Sequence, residues 1–336
     1  MVLNKNTAQR RTIMKTYLIP NTKQYKANLH CHTVLSDGQK TPEQIKDEYK
    51  AKGYSIVAFT DHEYIVNHQH LNDENFIAIT AYEANFDSGI DWRYGKCAHL
   101  NFYAKNPYED MHVVFHPDNV NQYKLALPVR DKLKWHGEKM YKKYELIQYA
   151  IDEANKHGYL VCLNHPYWSL QKHEDYFNFK GLCAMEVYNN GCGLIGGHAW
   201  LDYGLFCCEN PDENVAPIAA DDTHNPNDEF GGYTMICTDD FSYGGIIKAM
   251  EERNFYASTG IQITEFSVED GKCHVECSGC TDAGISQAGR IYQNISNPDG
   301  MTSFDFDIRD GAKYVRIILQ DKRTGGMAAT KPYYLK

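Results

Sequence analysis

Apolar and polar positions in this chain repeat in a fixed order: a β-branched apolar run, ionisable residues at its carboxyl end, then a segment with helical spacing. Residues 54–60 (YSIVAFT) read as a buried strand that ends on Asp61 and His62. Residues 76–80 run into Glu83, and 97–103 carry His99. Residues 159–163 end in Asn164, His165 and Pro166, and 181–185 lead to Glu186, Tyr188 and Asn189. Residues 215–220 end in Asp221, Asp222, Thr223 and His224. Helices are predicted after Thr41, over 138–157, around 194–208 and over 243–253. The first is the best marked: Thr41 caps it, Pro42 suits the first helical position, Gln44 completes a capping box, and Gly53 stops it.

This alternation predicts an α/β fold with a parallel sheet and crossover helices, open or closed into a barrel, and functional residues gathered at the carboxyl ends of strands. From about residue 257 the texture changes. Short alternating segments at 272–277, 304–308 and 314–319, separated by Asp-Gly turns, predict a small antiparallel β appendage of sandwich type. The expected organisation is an arm over 1–24, an α/β unit over 25–256 and a β-rich domain over 257–336. No Gly/Ser- or Pro-rich linker divides the last two, so rigid packing is expected.

Composition narrows the class. In 336 residues, 43% hydrophobic content supplies a sizeable core, and a formal charge of −10 argues against nucleic acid beyond mono- or dinucleotides. No run approaches the ~18 apolar residues of a membrane span, and the first residues hold no signal-peptide core. Eleven scattered cysteines then read as free thiols of a reducing cytoplasm.

The chemistry centres on residues 28–38 (NLHCHTVLSDG). His30 and His32, one residue apart on a strand, turn their rings to the same side, and a turn permitted by Gly38 brings back Asp37. The imidazoles suit zinc, iron or nickel, and the carboxylate adds tolerance for manganese or magnesium.

His30-x-His32 with Ser36-Asp37-Gly38, Thr60-Asp61-His62, Glu83, His99, Asn164-His165-Pro166 and Asp222-x-His224 together resemble the PHP (polymerase and histidinol phosphatase) superfamily of metal-dependent phosphoesterases. The tail, with 255–260 (FYASTG) and 328–335 (AATKPYYL), resembles the CehA/McbA branch, which includes carbamate hydrolases. The resemblance implies a distorted (β/α)7 barrel holding two or three divalent ions of zinc, manganese or iron. It implies one metal on His30, His32, Glu83 and Asp222, and a second on Glu83, His99 and His165, with Glu83 bridging. A third would lie on Asp37, His62 and His224. The implied reaction is hydrolysis of a small phosphate mono- or diester by a metal-bridging hydroxide. The alternatives are carbamate, amide or carboxylic ester hydrolysis at the same site, or a non-catalytic module that binds metal or an anion.

Around this constellation, Asp61, beside His62 and Glu83 in the proposed catalytic set, is assigned to support a ligating histidine or relay a proton. Glu186 and Asn189 face the same rim, as supports of the metal ligands or as substrate contacts. Arg93, and Arg130 in an insert over 105–150 rich in aromatics and bases, are candidate holders of an anionic substrate. Cys273, Cys277 and Cys280 have partial zinc-site spacing, for which strand alternation of Cys273 and Cys277 is the simpler account. The sequence sets no oligomeric state.

Overall fold

The computed structural model describes residues 15–91, 93–113, 133–136, 143–210 and 212–335. Arg130, residues 1–14 of the expected arm and the start of the helix expected from 138 lie outside them.

Seven strands follow one another in chain order: β1 (Gln24–Asn28), β2 (Ile56–Phe59), β3 (Ile77–Asp87), β4 (Cys97–Ala104), β5 (Tyr159–Asn164), β6 (Ala184–Asn189) and β7 (Ala216–Ala220). Neighbours pair in parallel except at β4, which is antiparallel to both β3 and β5. The expectation of an all-parallel sheet is corrected there. The link 88–96 is too short for a crossover helix, so the chain turns straight back. Beyond β1 and β7 the chain pairs in parallel through Cys31 and Thr223, with Asp222 N donating to His30 O at 2.9 Å and His32 N to Thr223 O at 3.0 Å.

Helices cover these strands. In α1 (Pro42–Ala51) the capping box forms: Thr41 Oγ1 accepts from Gln44 N, and Gln44 Oε1 from Thr41 N. The helix expected over 138–157 is shorter among the described residues: α2 (Ile147–Lys156) follows a single 3₁₀ turn at Tyr144–Leu146. The helical stretch around 194–208 resolves into one turn at Gly193–Gly196 and α3 (Trp200–Glu209). After β8 (Tyr233–Cys237) comes α4 (Tyr243–Glu251), capped by Ser242 Oγ as acceptor from Gly245 N. No helix among the described residues is long and apolar enough to cross a membrane.

The longer strands that follow are β9 (Phe255–Ser258), β10 (Ile263–Glu269), β11 (Lys272–Ala288), β12 (Ile291–Asp307), β13 (Tyr314–Asp321) and β14 (Gly326–Ala329). Their pairings are antiparallel, and hydrogen-bonded neighbours run β10-β11-β13-β14-β9-β8-β1, with β12 on β11. The late segments therefore share a continuous ladder with β1. Their inner side is a core of Ile263, Phe266, Val275, Ile285, Val315 and Ile317, among others.

Period-two alternation places the functional end. Ile56/Ala58, Ile77/Ile79, Tyr103, Leu160/Cys162, Ala184 and Ala216/Ile218 meet in one buried cluster. Continuing each strand in the same phase leads to His62, Glu83, His99 (by way of Asn101), Asn164, Glu186 and Asp222. One face thus carries aliphatic groups at one end and metal-type donors at the other. On β1, by contrast, Ala27 and Leu29 face the cluster, whereas His30 and His32 follow Asn28 in the opposite phase past the end of the ladder.

Candidate metal centre

Residues separated by almost two hundred positions converge at that end. His30 Nε2 lies 3.1 Å from Asp222 Oδ1 and 3.3 Å from Glu83 Oε1. His32 Nε2 lies 3.0 Å from Asp222 Oδ1 and 3.3 Å from Glu83 Oε2. His62 Nδ1 is 3.0 Å from Glu83 Oε2, His99 Nδ1 3.1 Å from Glu83 Oε1, and His165 Nε2 3.4 Å from the same oxygen. Asp37 lies 3.4–3.7 Å from nitrogens of His32, His62 and His224. Donor atoms on a tetrahedral ion at ~2.1 Å stand ~3.4 Å apart, and closer on an octahedral one, so these separations match ligands grouped around cations.

Four overlapping groups result: His30/His32/Asp222, His30/Glu83/His165, His62/Glu83/His99 and His32/Asp37/His62/His224. Glu83 belongs to two of them, and it is 1% exposed. The structure brings all nine sequence-derived candidates together but distributes them differently: His99 groups with His62, His165 with His30, and His32 joins Asp37.

Glu83 Oε2 and Asp222 Oδ1 are buried and accept no hydrogen bond, an expensive state for a carboxylate oxygen that lacks a counter-charge. In the metal-free protein the counter-charge is a set of protons. Burial pulls His32 and His99 down, but the close negative charge of Glu83, with Asp222 at His32, outweighs it and pushes both up to about 10. His30 is raised by Asp222, Glu83 and Glu186 against its own burial. Against the same penalty, the histidines hold Glu83 and Asp222 well below the usual carboxylate range. His62 is lowered, by burial and by the charge on His32. The donors fit divalent ions, which would take the place of these protons.

A rim of polar residues fixes the donors. Glu186 Oε1 lies 3.1 Å from His30 Nδ1, and Glu186 Oε2 accepts from His165 N and Asn189 Nδ2. Asn189 Nδ2 also donates to Asp222 Oδ2, and Asn164 Nδ2 to Glu83 Oε1. Asp222 sits at φ +51, a left-handed backbone for a non-glycine residue. Gly38 is required by space: a Cβ there would lie 2.4 Å from His32 O. Next to Asp222, Asp221 accepts from Phe230 N, Gly231 N, Gly232 N and Tyr49 OH, tying the loop after β7 to α1. Its burial nevertheless pushes its carboxyl up to about 6.

Asp61 is fully engaged with Thr33 N, Thr33 Oγ1 and Ser36 Oγ, so it holds the His-x-His turn. Glu186 and Asn189 are buried outside the lining of the cavity over the donors, with the Glu186 carboxylate and the Asn189 amide group turned to His30, His165 N and Asp222. Arg93 is exposed and paired with Asp91, outside the lining of the cavity over the donors. That cavity, of about 200 Å³, is bounded by the donors other than His30 and His32, with Trp168, Gly191 and Cys192. The Trp168 ring stands edge-on to His99 and His165 at 5.5 and 5.1 Å. Sequence reasoning missed Asp221 and Trp168. An acidic pair at a strand end pointed to the former, whereas an aromatic residue three beyond His165 is no signal by itself.

The PHP domain family matches residues 28–196, half of the chain, and the chain belongs to that family. Among solved structures it is similar to a two-domain protein from Bacteroides vulgatus described as containing a predicted PHP-like metal-dependent phosphoesterase. Identity there is 17%, over 97% of this chain and 99% of that one, with a TM-score of 0.45. It is also similar to an amidohydrolase from Chromobacterium violaceum with bound sulfate and no metal, at 14% identity over 68% and 96% of the two chains and a TM-score of 0.41. No curated protein matches significantly.

Proposed function

We propose that this protein is a metal-dependent hydrolase of small phosphate mono- or diesters, with the α/β unit over 25–256 carrying the site and 257–336 packed on it. The observation that carries the reading is the pair of buried carboxylates, Glu83 and Asp222, each with an oxygen that accepts no hydrogen bond, ringed by imidazole nitrogens at 3.0–3.4 Å. His30, His32, Glu83, His99, His165 and Asp222 would hold two divalent ions, and Asp37, His62 and His224 a third beside His32. Bound there, such ions lower the pKa of water towards neutrality and neutralise phosphoryl oxygens.

The chain's own residues do the rest. Glu186 and Asn189 fix His30, His165 and Asp222, so the donors keep their geometry as charge shifts during reaction. Asp61 keeps the turn between His32 and Asp37 closed through Thr33 and Ser36. A cavity of about 200 Å³ admits the reacting group and a small part of its ester, with Trp168 as the wall. The tail motif that resembles the CehA/McbA branch supports a carbamate as the rival substrate.

The test is hydrolysis of aryl phosphate mono- and diesters beside aryl carbamates, with Mn²⁺, Zn²⁺ or Fe²⁺ added to purified protein. Phosphate ester turnover that disappears in His32→Ala and Asp222→Ala, with the circular dichroism spectrum kept, is expected. Cleavage of carbamates alone, or undiminished turnover in both variants, overturns the reading.

A further inference from the structure

Far from the metal-type donors in the strand path, β11 carries Cys273, Cys277 and Cys280, all buried in the core of the late strands. Residues three apart on a regular strand face opposite sides of the sheet. Cys277 and Cys280 do not: their sulfurs lie 3.9 Å apart. The cause is an irregularity in the ladder. The register between β11 and β12 shifts between Glu276 and Cys280, and Gly279 sits at φ +141, where side chains are rarely tolerated. The extra residue changes the phase and turns the second thiol onto the first.

No acid or imidazole gathers with these sulfurs into a metal-type group among the described residues, and His274 pairs instead with Asp305 on the exposed side. The pair is therefore suited to redox chemistry rather than to a cation. We propose that Cys277 and Cys280 form a peroxide-sensitive dithiol that closes reversibly to a disulfide.

Cys277 is the attacking thiol. It is 6% exposed against 0% for Cys280, and the Cys280 thiol with the Gly279 backbone pulls it down to about 7 despite its burial. Its thiolate attacks one oxygen of hydrogen peroxide and the O–O bond breaks, leaving a sulfenic acid and hydroxide. Cys280 sulfur then attacks Cys277 sulfur. The S–S bond forms, the S–O bond breaks, and the hydroxyl leaves as water with the Cys280 proton. Two thiols lose two electrons, and the peroxide is reduced to two waters. The sulfurs must close from 3.9 Å to ~2.05 Å. Cys273 is the internal control: burial pushes its thiol up to about 12.

The experiment treats reduced full-length protein with hydrogen peroxide, then alkylates and digests it with trypsin. The fragment Cys273–Arg290 contains all three cysteines. The expected fragment carries one alkyl group and is two hydrogens lighter than the reduced form, and dithiothreitol reverses the change. Cys273→Ser keeps the bridge, whereas Cys277→Ser and Cys280→Ser each abolish it. In Cys280→Ser the sulfenic acid on Cys277 persists and is trapped by dimedone, a positive readout that depends on a folded protein. Melting curves of both serine variants and of Cys277→Ala check folding. Three alkylated cysteines in that fragment after peroxide, or a bridge that uses Cys273, overturns the proposal.

Discussion

Replacing Glu186 by Gln is the sharpest perturbation of the proposed centre, because it changes one atom's charge and almost no volume. Glu186 Oε2 accepts from His165 N at 2.8 Å and Asn189 Nδ2 at 2.9 Å, so the glutamine oxygen must take that place. Its amide group then faces His30 Nδ1, which in the wild type stands 3.1 Å from a carboxylate oxygen. An N–H cannot face an N–H, so His30 must carry its proton on Nε2. That nitrogen points at Asp222 Oδ1 and Glu83 Oε1, and a cation would need its lone pair. The opposite amide flip leaves the buried His165 N–H facing a donor, which costs about 1–3 kcal/mol. Lost orienting partners of metal-bound histidines weaken affinity about 10–100-fold, or about 1.4–2.7 kcal/mol. Competition with a chromophoric chelator at neutral pH measures this directly, with melting of the metal-free variant as the fold control. A glutamine variant that folds and binds Zn²⁺ as tightly as wild type would refute the assignment of the His30 tautomer.

Two further outcomes follow from the charges. His32 and His99 are held at about 10, above the ordinary imidazole value, so their stabilisation is full below ~6.5 and is lost as pH rises through about 10. Metal-free protein should lose stability over that window, whereas metal-loaded protein should not, and calorimetry of metal uptake in buffers of different ionisation heat should show proton release; heats that do not depend on the buffer contradict it. Asp221, raised to about 6 by burial, favours folding below the unfolded value and loses about 3 kcal/mol of that contribution as pH rises past 6. Urea melts of metal-free protein should therefore show the stability gap between wild type and Asp221→Asn narrowing by about that amount from acid to neutral pH; a gap independent of pH refutes it.

What could be read from the chain was whatever depends on local sequence. The Thr41–Gln44 cap formed as written, and the strand ends that carry His62, His165 and Asp222 lie where the alternation of apolar and polar residues put them. Glu83 and Glu186 were placed past strand ends but lie within longer strands, because burial on both faces removes the polar signal that marks an end. The antiparallel β4 was missed although its short link to β3 was visible. The particular partners of Glu186, Asn189 and Asp61 could not be read, since each is brought near only by folding, as with Glu186 and His30. Arg93 failed for the converse reason: Asp91, two residues away, is a nearer partner than any anion in the cavity.

The sign of the charge at the centre connects these points. Glu83, Glu186 and Asp222 are 6% exposed or less and stand within hydrogen-bonding distance of imidazoles. Buried carboxylates at such density persist only with compensating positive charge, and several carboxylates aimed at shared imidazoles are more than a set of stable neutral pairs requires. Protons on histidine supply that charge one unit at a time and are lost at high pH. Divalent ions supply two units each, and they would engage the oxygens of Glu83 and Asp222 that accept no hydrogen bond. A fold that spends its most buried strand positions on Glu83 and Glu186, and a left-handed backbone on Asp222, gains little from a proton cage. A cation bound there would find a rigid, prearranged site, and this is why the orphaned oxygens argue for metal more strongly than any single His-x-His pair.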